Sequence, residues 1–252
     1  MLAAILRQNP AFHAAMSSPL YTVIHGLLRN LGPANEYSRF ISDEQRERIL
    51  RSVFESFYCS LSDRKVIFDT SRGWTGQLFT LAALFGESRV VCCVRSPAWV
   101  LDSIERRVQS SPFQRSKMFT DETGVNVYTR VEHMLKKGIL GPSLQGLRQA
   151  WYGEHADRLS VVRYESLTEQ PAEVIGQLYR ALGEPEFEHD FEKLEYDAPE
   201  FDQDLGMPGL HRVRRRIEPN RRTTVLPPDL FSQNDRSFWD VPGQNRQGVL
   251  VL

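Results

Sequence analysis

The fold is decided by the stretch that runs from Arg89 to Ser103, RVVCCVRSPAWVLDS. Its short apolar run of valines and cysteines is typical of a strand buried on both faces. Pro97 has a preset φ angle that suits the first turn of a helix. The order is therefore strand, turn, helix, and Arg95 is placed at the carboxyl end of the strand, where open α/β sheets bind their ligands.

Two further polar residues belong to the helix that follows. Ser103 comes eight residues after Arg95, and Arg107 comes twelve residues after it. Ser103 and Arg107 are therefore four positions apart and lie on one face of the helix. Two guanidiniums and a hydroxyl beside a helix start predict a phosphate site. The alternative is that Arg95 pairs with an acid while Ser103 and Arg107 form an ordinary solvated face.

This motif resembles the 3′-phosphate-binding motif of sulfotransferases that use PAPS (3′-phosphoadenosine 5′-phosphosulfate), and Arg107 fits the tyrosylprotein branch of that family. The resemblance covers about residues 1 to 240. It implies an α/β fold of the P-loop NTPase-like type, with a parallel sheet flanked by helices. It also implies that the protein moves the sulfuryl group of PAPS to an acceptor hydroxyl or amine. Alternating strands and helices favour the same fold class.

Tyr164 lies in a second matching stretch. Residues 161–167, VVRYESL, resemble the family's strand followed by Tyr-Glu-x-Leu. The resemblance places Tyr164 near the adenine, where an aromatic ring makes a generic contact. The alternative is a half-buried core tyrosine at a strand end.

A third stretch, Lys65–Asp69, is another short apolar strand and is followed by Thr70, Ser71 and Arg72. In relatives this turn faces the sulfuryl group and often carries a lysine, which falls at Thr70 here. Arg72 is the candidate that supplies the missing charge. The alternative is that Asp69 and Thr70 cap the next helix and Arg72 is exposed.

The basic residues cluster late in the chain, from Arg212 to Arg222. Such a run is most often a solvated surface. Residues 206–213, GMPGLHRV, resemble the family's late loop that folds over the nucleotide, so the resemblance implies that Arg212 contacts its phosphates.

The strongest departure from the family concerns its glycine-rich loop, roughly Pro-Arg-Ser-Gly-x-Thr, whose backbone amides bind the 5′-phosphosulfate. The sequence does not contain this loop, and residues 1–10 resemble the helix that follows it. We therefore expect the first strand of the sheet to be missing. The alternatives are a truncated, non-catalytic nucleotide-binding protein and, last, a nucleotide kinase, which requires Gly-x-x-x-x-Gly-Lys-Ser/Thr.

The general base is not identified by the sequence. The glutamate that tyrosylprotein relatives use falls among Met16, Ser17 and Ser18, none of which can accept a proton in this way. The remaining candidates are His13, His25, Asp69 and His211, and each of them has a structural interpretation as well.

Composition sets wider limits. With 252 residues, 41% of them hydrophobic, the chain can form one domain over residues 1–252. A net charge of -1 gives no global field that favours nucleic acid or membranes. The three cysteines have no metal-binding spacing, so no metal is expected. Without an apolar run of membrane length or a signal peptide, the expected location is cytoplasmic. The acceptor, a small molecule or a peptide, and the oligomeric state are left open.

The remaining pattern predicts helices around three short strands. Helical spacing covers Pro19–Leu31, a capped helix that starts after Ser42, Val125–Lys137 and Ser143–Ala156. Ser111–Gly124 reads as a loop, and we expect an irregular segment that wraps the domain from Glu184 onward.

Overall fold

The computed structural model describes residues 1–61, 63–113, 116–204, 206, 208–241 and 248–252. Within these residues the strands form two parallel sheets. In the first sheet, β1 (Phe12–Ala14) pairs with β2 (Val66–Phe68). In the second, β4 (Leu159–Arg163) lies between β3 (Val90–Val94) and β5 (Leu250–Val251).

Helices connect the strands. Their bounds are α1 Leu2–Leu6, α2 Leu20–Leu31, α3 Asp43–Phe57, α4 Leu78–Leu84, α5 Pro97–Ser110, α6 Val127–Lys136, α7 Leu140–Tyr152, α8 Tyr164–Glu169, α9 Pro171–Leu182, α10 Pro199–Asp204 and α11 Pro228–Asn234. Short 3-10 turns lie at Glu36–Phe40, Cys59–Leu61, Arg72–Gln77, Ala156–Arg158 and Phe238–Asp240.

The central strand β4 has a core on each face. Val161 belongs to a cluster that includes Trp151 of α7, whereas Val162 belongs to a second cluster that includes Leu178 of α9. Neighbouring residues on a strand point to opposite faces, so the sheet is covered by helices on both sides. The predicted fold class, a parallel sheet flanked by helices, is confirmed.

The two sheets are separated by a cavity of about 1470 Å³. Residues of β2 and β3 both line it, and the described residues contain no strand that joins the two. Phe12 of β1 and Val162 of β4 nevertheless belong to one hydrophobic core, which connects the two sheets. The expectation that a first strand is missing stays a prediction.

Most predicted elements are present, and the main differences concern one helix and two short strands. The helix expected from Ser143 begins at Leu140, because Pro142 fits the first turn of a helix and does not interrupt it. The strands β1 and β5 were not predicted, since three and two residues are too few to display an alternating pattern. The helix predicted after Ser42 is confirmed together with its capping box, in which Ser42 and Gln45 bond to each other's backbone amides.

The segment after Glu184 contributes residues to all three hydrophobic cores. Leu194 and Ile217 enter the core beneath α9, and Leu230 packs with α5 and α6 in a third core. Trp239 joins the core on the α7 face. This segment therefore reaches the residues around α5 as well as both faces of the sheet.

Candidate functional site

The carboxyl edge of β3 and β4 brings two predicted site residues together. Val94 and Arg163 are partners in the parallel register, so Arg95 and Tyr164 leave the sheet side by side. The guanidinium carbon of Arg95 lies 4.1 Å from the centre of the Tyr164 ring. Arg95 Nε lies 3.5 Å from a carboxylate oxygen of Glu165, as the alternative interpretation of Arg95 expected.

Arg95 also has an unused hydrogen-bond donor. Its side chain is only 17% exposed, and its buried Nε donates no hydrogen bond to any described residue. The guanidinium lies over the Trp99 ring as well, at 5.6 Å from the ring centre. A buried donor normally has an acceptor, so this position fits an anionic group such as a nucleotide phosphate.

The two predicted residues on α5 differ in what they contact. Ser103 lies half-buried one helical turn before Arg107. Arg107 donates from Nη2 to the carbonyl oxygen of Gly209 at 2.7 Å and from Nη1 to that of Pro208 at 3.4 Å. Gly209 has a φ of +72°, and a Cβ there would lie 3.3 Å from Arg107 Nη1. Arg107 thus binds the loop that precedes His211.

This loop presents His211 and Arg212 to the cavity. His211 Nδ1 lies 2.5 Å from Asp202 Oδ1, and the backbone amide of His211 donates to Asp202 Oδ2 at 2.9 Å. Asp202 is fully buried, whereas the His211 side chain is 28% exposed. Met207, which belongs to the loop motif in the sequence, lies outside the described residues.

The opposite wall of the cavity carries Asp69 in a hydrogen-bonded group. Tyr58 donates its hydroxyl to Asp69 Oδ2 at 2.5 Å, and Trp74 Nε1 donates to Oδ1 at 2.6 Å. Burial raises the pKa of Tyr58, and the hydrogen bond to Asp69 raises it further. The ring of His13 meets the edge of the Tyr58 ring at 5.9 Å. Both carboxylate oxygens of Asp69 are therefore already engaged.

Arg72 begins the turn that follows this wall. It lines the cavity with Thr70, and burial lowers the pKa of its guanidinium. The alternative in which Asp69 and Thr70 cap the next turn is wrong on the cap, because Ser71 accepts the capping bond from the Gly73 amide. Its other part holds, since the Arg72 residue is exposed at the rim of the cavity.

The candidate His25 lies outside the site, whereas Asp202, Asp102 and Arg222 were not predicted from the sequence. His25 is exposed on α2, stacks on Tyr21 and does not line the cavity. Asp202 was not predicted, because it lies among acids and prolines without a periodic pattern. Asp102 and its partner Arg222 were also missed, since their contact joins residues far apart in the sequence.

The described residues offer neither a metal-binding group nor a membrane-spanning helix. They contain no group of three or more His, Cys, Asp or Glu side chains arranged to hold a metal. In the same part of the chain, no helix is both long and apolar enough to cross a membrane.

The fold defines a parallel α/β protein in which Arg95 and Tyr164 lie at the carboxyl edge of the sheet. A sequence model described as the sulfotransferase family matches residues 1–189, and the chain belongs to that family. The predicted family is confirmed, and sulfotransfer is the general activity that it supports. Placement in the tyrosylprotein branch stays a prediction.

One solved structure similar to the chain is described as the sulfotransferase domain from the curacin biosynthetic pathway. It has a TM-score of 0.49 and 15% sequence identity, and the alignment covers 97% of this chain and 89% of that one. A search of curated proteins gave no match.

Proposed function

We propose that the protein transfers the sulfuryl group of PAPS to the hydroxyl or amine of a small-molecule or peptide acceptor. Family membership supports sulfotransfer in general. The observation that carries the proposal of this donor is the buried Nε of Arg95, which lies beside Tyr164 at the sheet edge and donates no hydrogen bond to any described residue. A 3′-phosphate supplies the acceptor oxygens that this guanidinium lacks.

Each site residue then has a role toward the nucleotide. Arg95 and Ser103 bind the 3′-phosphate, and Tyr164 lies on the adenine side. Arg107 contributes positive charge and holds the 208–211 loop, from which Arg212 reaches the phosphates. Arg72 lies on the opposite wall, where its charge serves the sulfonate end. When bound, PAPS supplies an activated sulfuryl group for in-line transfer.

His211 is the proposed general base. Its Nδ1 is held by the buried carboxylate of Asp202, which fixes the tautomer and leaves Nε2 as the nitrogen that accepts a proton. His211 also lines the cavity. His13, another candidate, packs its ring against Tyr58 and has no carboxylate partner among its described contacts.

The proposal is tested by titrating the 252-residue chain with 3′-phosphoadenosine 5′-phosphate (PAP) and with adenosine 5′-phosphate in a calorimeter. Arg95→Ala is expected to weaken PAP binding by about 2 to 3 kcal/mol and to leave adenosine 5′-phosphate binding nearly unchanged. Arg39→Ala, on the exposed Glu36–Phe40 turn outside the cavity, is the control and should bind PAP like the wild type.

The result also separates the alternatives. Equal losses for both ligands in Arg95→Ala would indicate structural damage and contradict the assignment. Selective PAP binding without release of PAP from PAPS, across a panel of phenols, alcohols and amines, would favour a nucleotide-binding protein that does not catalyse transfer.

A further inference from the structure

A buried carboxylate on α5 connects this helix to the C-terminal segment. Asp102 is fully buried, and its Oδ1 accepts two hydrogen bonds. One comes from the Thr224 hydroxyl at 3.0 Å and the other from the Val225 amide at 2.6 Å. Residues 224–225 are therefore fixed beside the helix that carries Ser103 and follows Arg95.

The other oxygen of Asp102 faces two guanidiniums. Arg222 Nη2 lies 2.6 Å from Oδ2, in an ion pair that is not aligned as a hydrogen bond. Arg106 Nε lies 3.7 Å from the same oxygen. The Asp102 carboxylate is thus shared by two guanidiniums, and each of them has N–H groups that do not bond to Asp102.

The guanidinium of Arg222 lies close to the proposed phosphate site. Its central carbon is 5.8 Å from the centre of the Trp99 ring, and that of Arg95 is 5.6 Å from the same centre. Burial lowers the pKa of Arg222, Asp102 opposes this change, and the charges of Arg106 and Arg95 lower the pKa further. Arg222 and Arg95 therefore both lie against the Trp99 ring at the start of α5.

The charges of this group do not balance within their own ion pairs. Three guanidiniums, those of Arg95, Arg106 and Arg222, face the two carboxylates of Asp102 and Glu165. In addition, Nε and Nη2 of Arg222 are buried and donate no hydrogen bond to any residue that the structure describes. Buried cations are normally paired and hydrogen-bonded, so this group favours a further anion.

We propose that Arg222 is an additional guanidinium ligand of the 3′-phosphate that Arg95 binds, and that Asp102 is its positioning residue. The inference rests on the proposed function and extends the site to the C-terminal segment. A phosphate dianion offsets the excess positive charge and can accept hydrogen bonds from those nitrogens of both arginines that donate none to the described residues.

The test compares two adjacent arginines by calorimetry. Arg222→Gln is expected to weaken PAP binding about 10- to 100-fold and to leave adenosine 5′-phosphate binding unchanged. Arg221→Gln removes the same charge from an exposed neighbour and should change either affinity by less than about twofold. Equal effects of the two substitutions on PAP binding would overturn the inference, as would equal losses of both ligands in Arg222→Gln.

The positioning role of Asp102 is tested in a double-mutant cycle. Asp102→Asn should weaken PAP binding when Arg222 is present. In the Arg222→Gln background the same substitution should cause little further loss of PAP affinity, because Asp102 acts on the phosphate only through Arg222. Independent, additive losses would contradict that role. If Asp102→Asn does not fold, as judged by circular dichroism, Thr224→Val removes one hydrogen bond from Asp102 and serves in the same cycle.

The Arg95→Ala variant separates failure of this inference from failure of the proposed function. If Arg95→Ala loses selective PAP binding but Arg222→Gln does not, only the role of Arg222 is wrong. If the folded wild-type chain does not distinguish PAP from adenosine 5′-phosphate, both proposals fail together.

Discussion

The buried ion pair between Glu105 and Arg130 should determine how firmly α5 is held against α6. Arg130 donates from Nε to Glu105 Oε2 at 2.8 Å and from Nη2 to Oε1 at 2.7 Å, and the two side chains are only 13% and 5% exposed. Arg130→Met leaves Glu105 buried with Gln109 as its remaining hydrogen-bond donor, at 3.0 Å. It also removes the donor to the Gly124 carbonyl.

We expect Arg130→Met to lower the free energy of unfolding by about 3 to 5 kcal/mol, because it leaves a buried charge unpaired. That is a large part of the total stability of a domain. Urea unfolding followed by circular dichroism measures the change. Replacing both partners, as Glu105→Leu with Arg130→Met, should cost less than the single substitution, since no buried charge is left.

The same helix provides the control. Lys136 pairs with Glu132, but both side chains are well exposed, so Lys136→Met should change stability very little. The reasoning is refuted if Arg130→Met is no more destabilising than Lys136→Met. It is also refuted if the double substitution is as unstable as Arg130→Met alone.

Two further predictions concern histidines. His211→Gln should lower kcat about 100-fold or more with little change in the Kd for PAP, and a comparable loss of binding would assign His211 to binding instead. For His189, burial lowers the pKa below its ordinary value of 6.5, so the unfolded chain binds more protons as the pH falls through that value. Its contribution to stability is therefore complete above pH 6.5 and declines below it. Between pH 7.5 and 5.5, urea unfolding should show a smaller loss of unfolding free energy in His189→Phe than in the wild type. Equal losses of unfolding free energy would exclude His189 as the cause.

The parts of the site that follow long strands could be predicted from the sequence. The strands β3 and β4 each span five residues, and each is followed directly by a polar or aromatic candidate. Adjacent parallel strands end at one edge, so the pattern places Arg95 near Tyr164. The contact of 4.1 Å between them agrees with this reasoning.

Residues whose role depends on distant segments could not be predicted in this way. Arg107 has the spacing of a phosphate ligand, but its guanidinium donates to the carbonyls of Pro208 and Gly209. That contact requires the left-handed backbone of Gly209, which helical spacing does not reveal. Asp202 was missed for a similar reason. It belongs to the site through its contact with His211, and neither residue lies in a periodic pattern that could reveal this contact.

Asp102 gives the physical reason for these differences. Four residues before Arg106 on a helix, it has the spacing of an ordinary exposed ion pair. In the fold Asp102 is fully buried and contacts Arg222, Thr224 and Val225, and burial makes a bound cation and hydrogen-bond donors necessary rather than optional. The arginine run that reads as a solvated surface therefore contains one residue, Arg222, whose charge is required inside the protein. A basic run in an irregular segment should accordingly be compared with every acid that the folded chain buries before its charges are assigned to solvent.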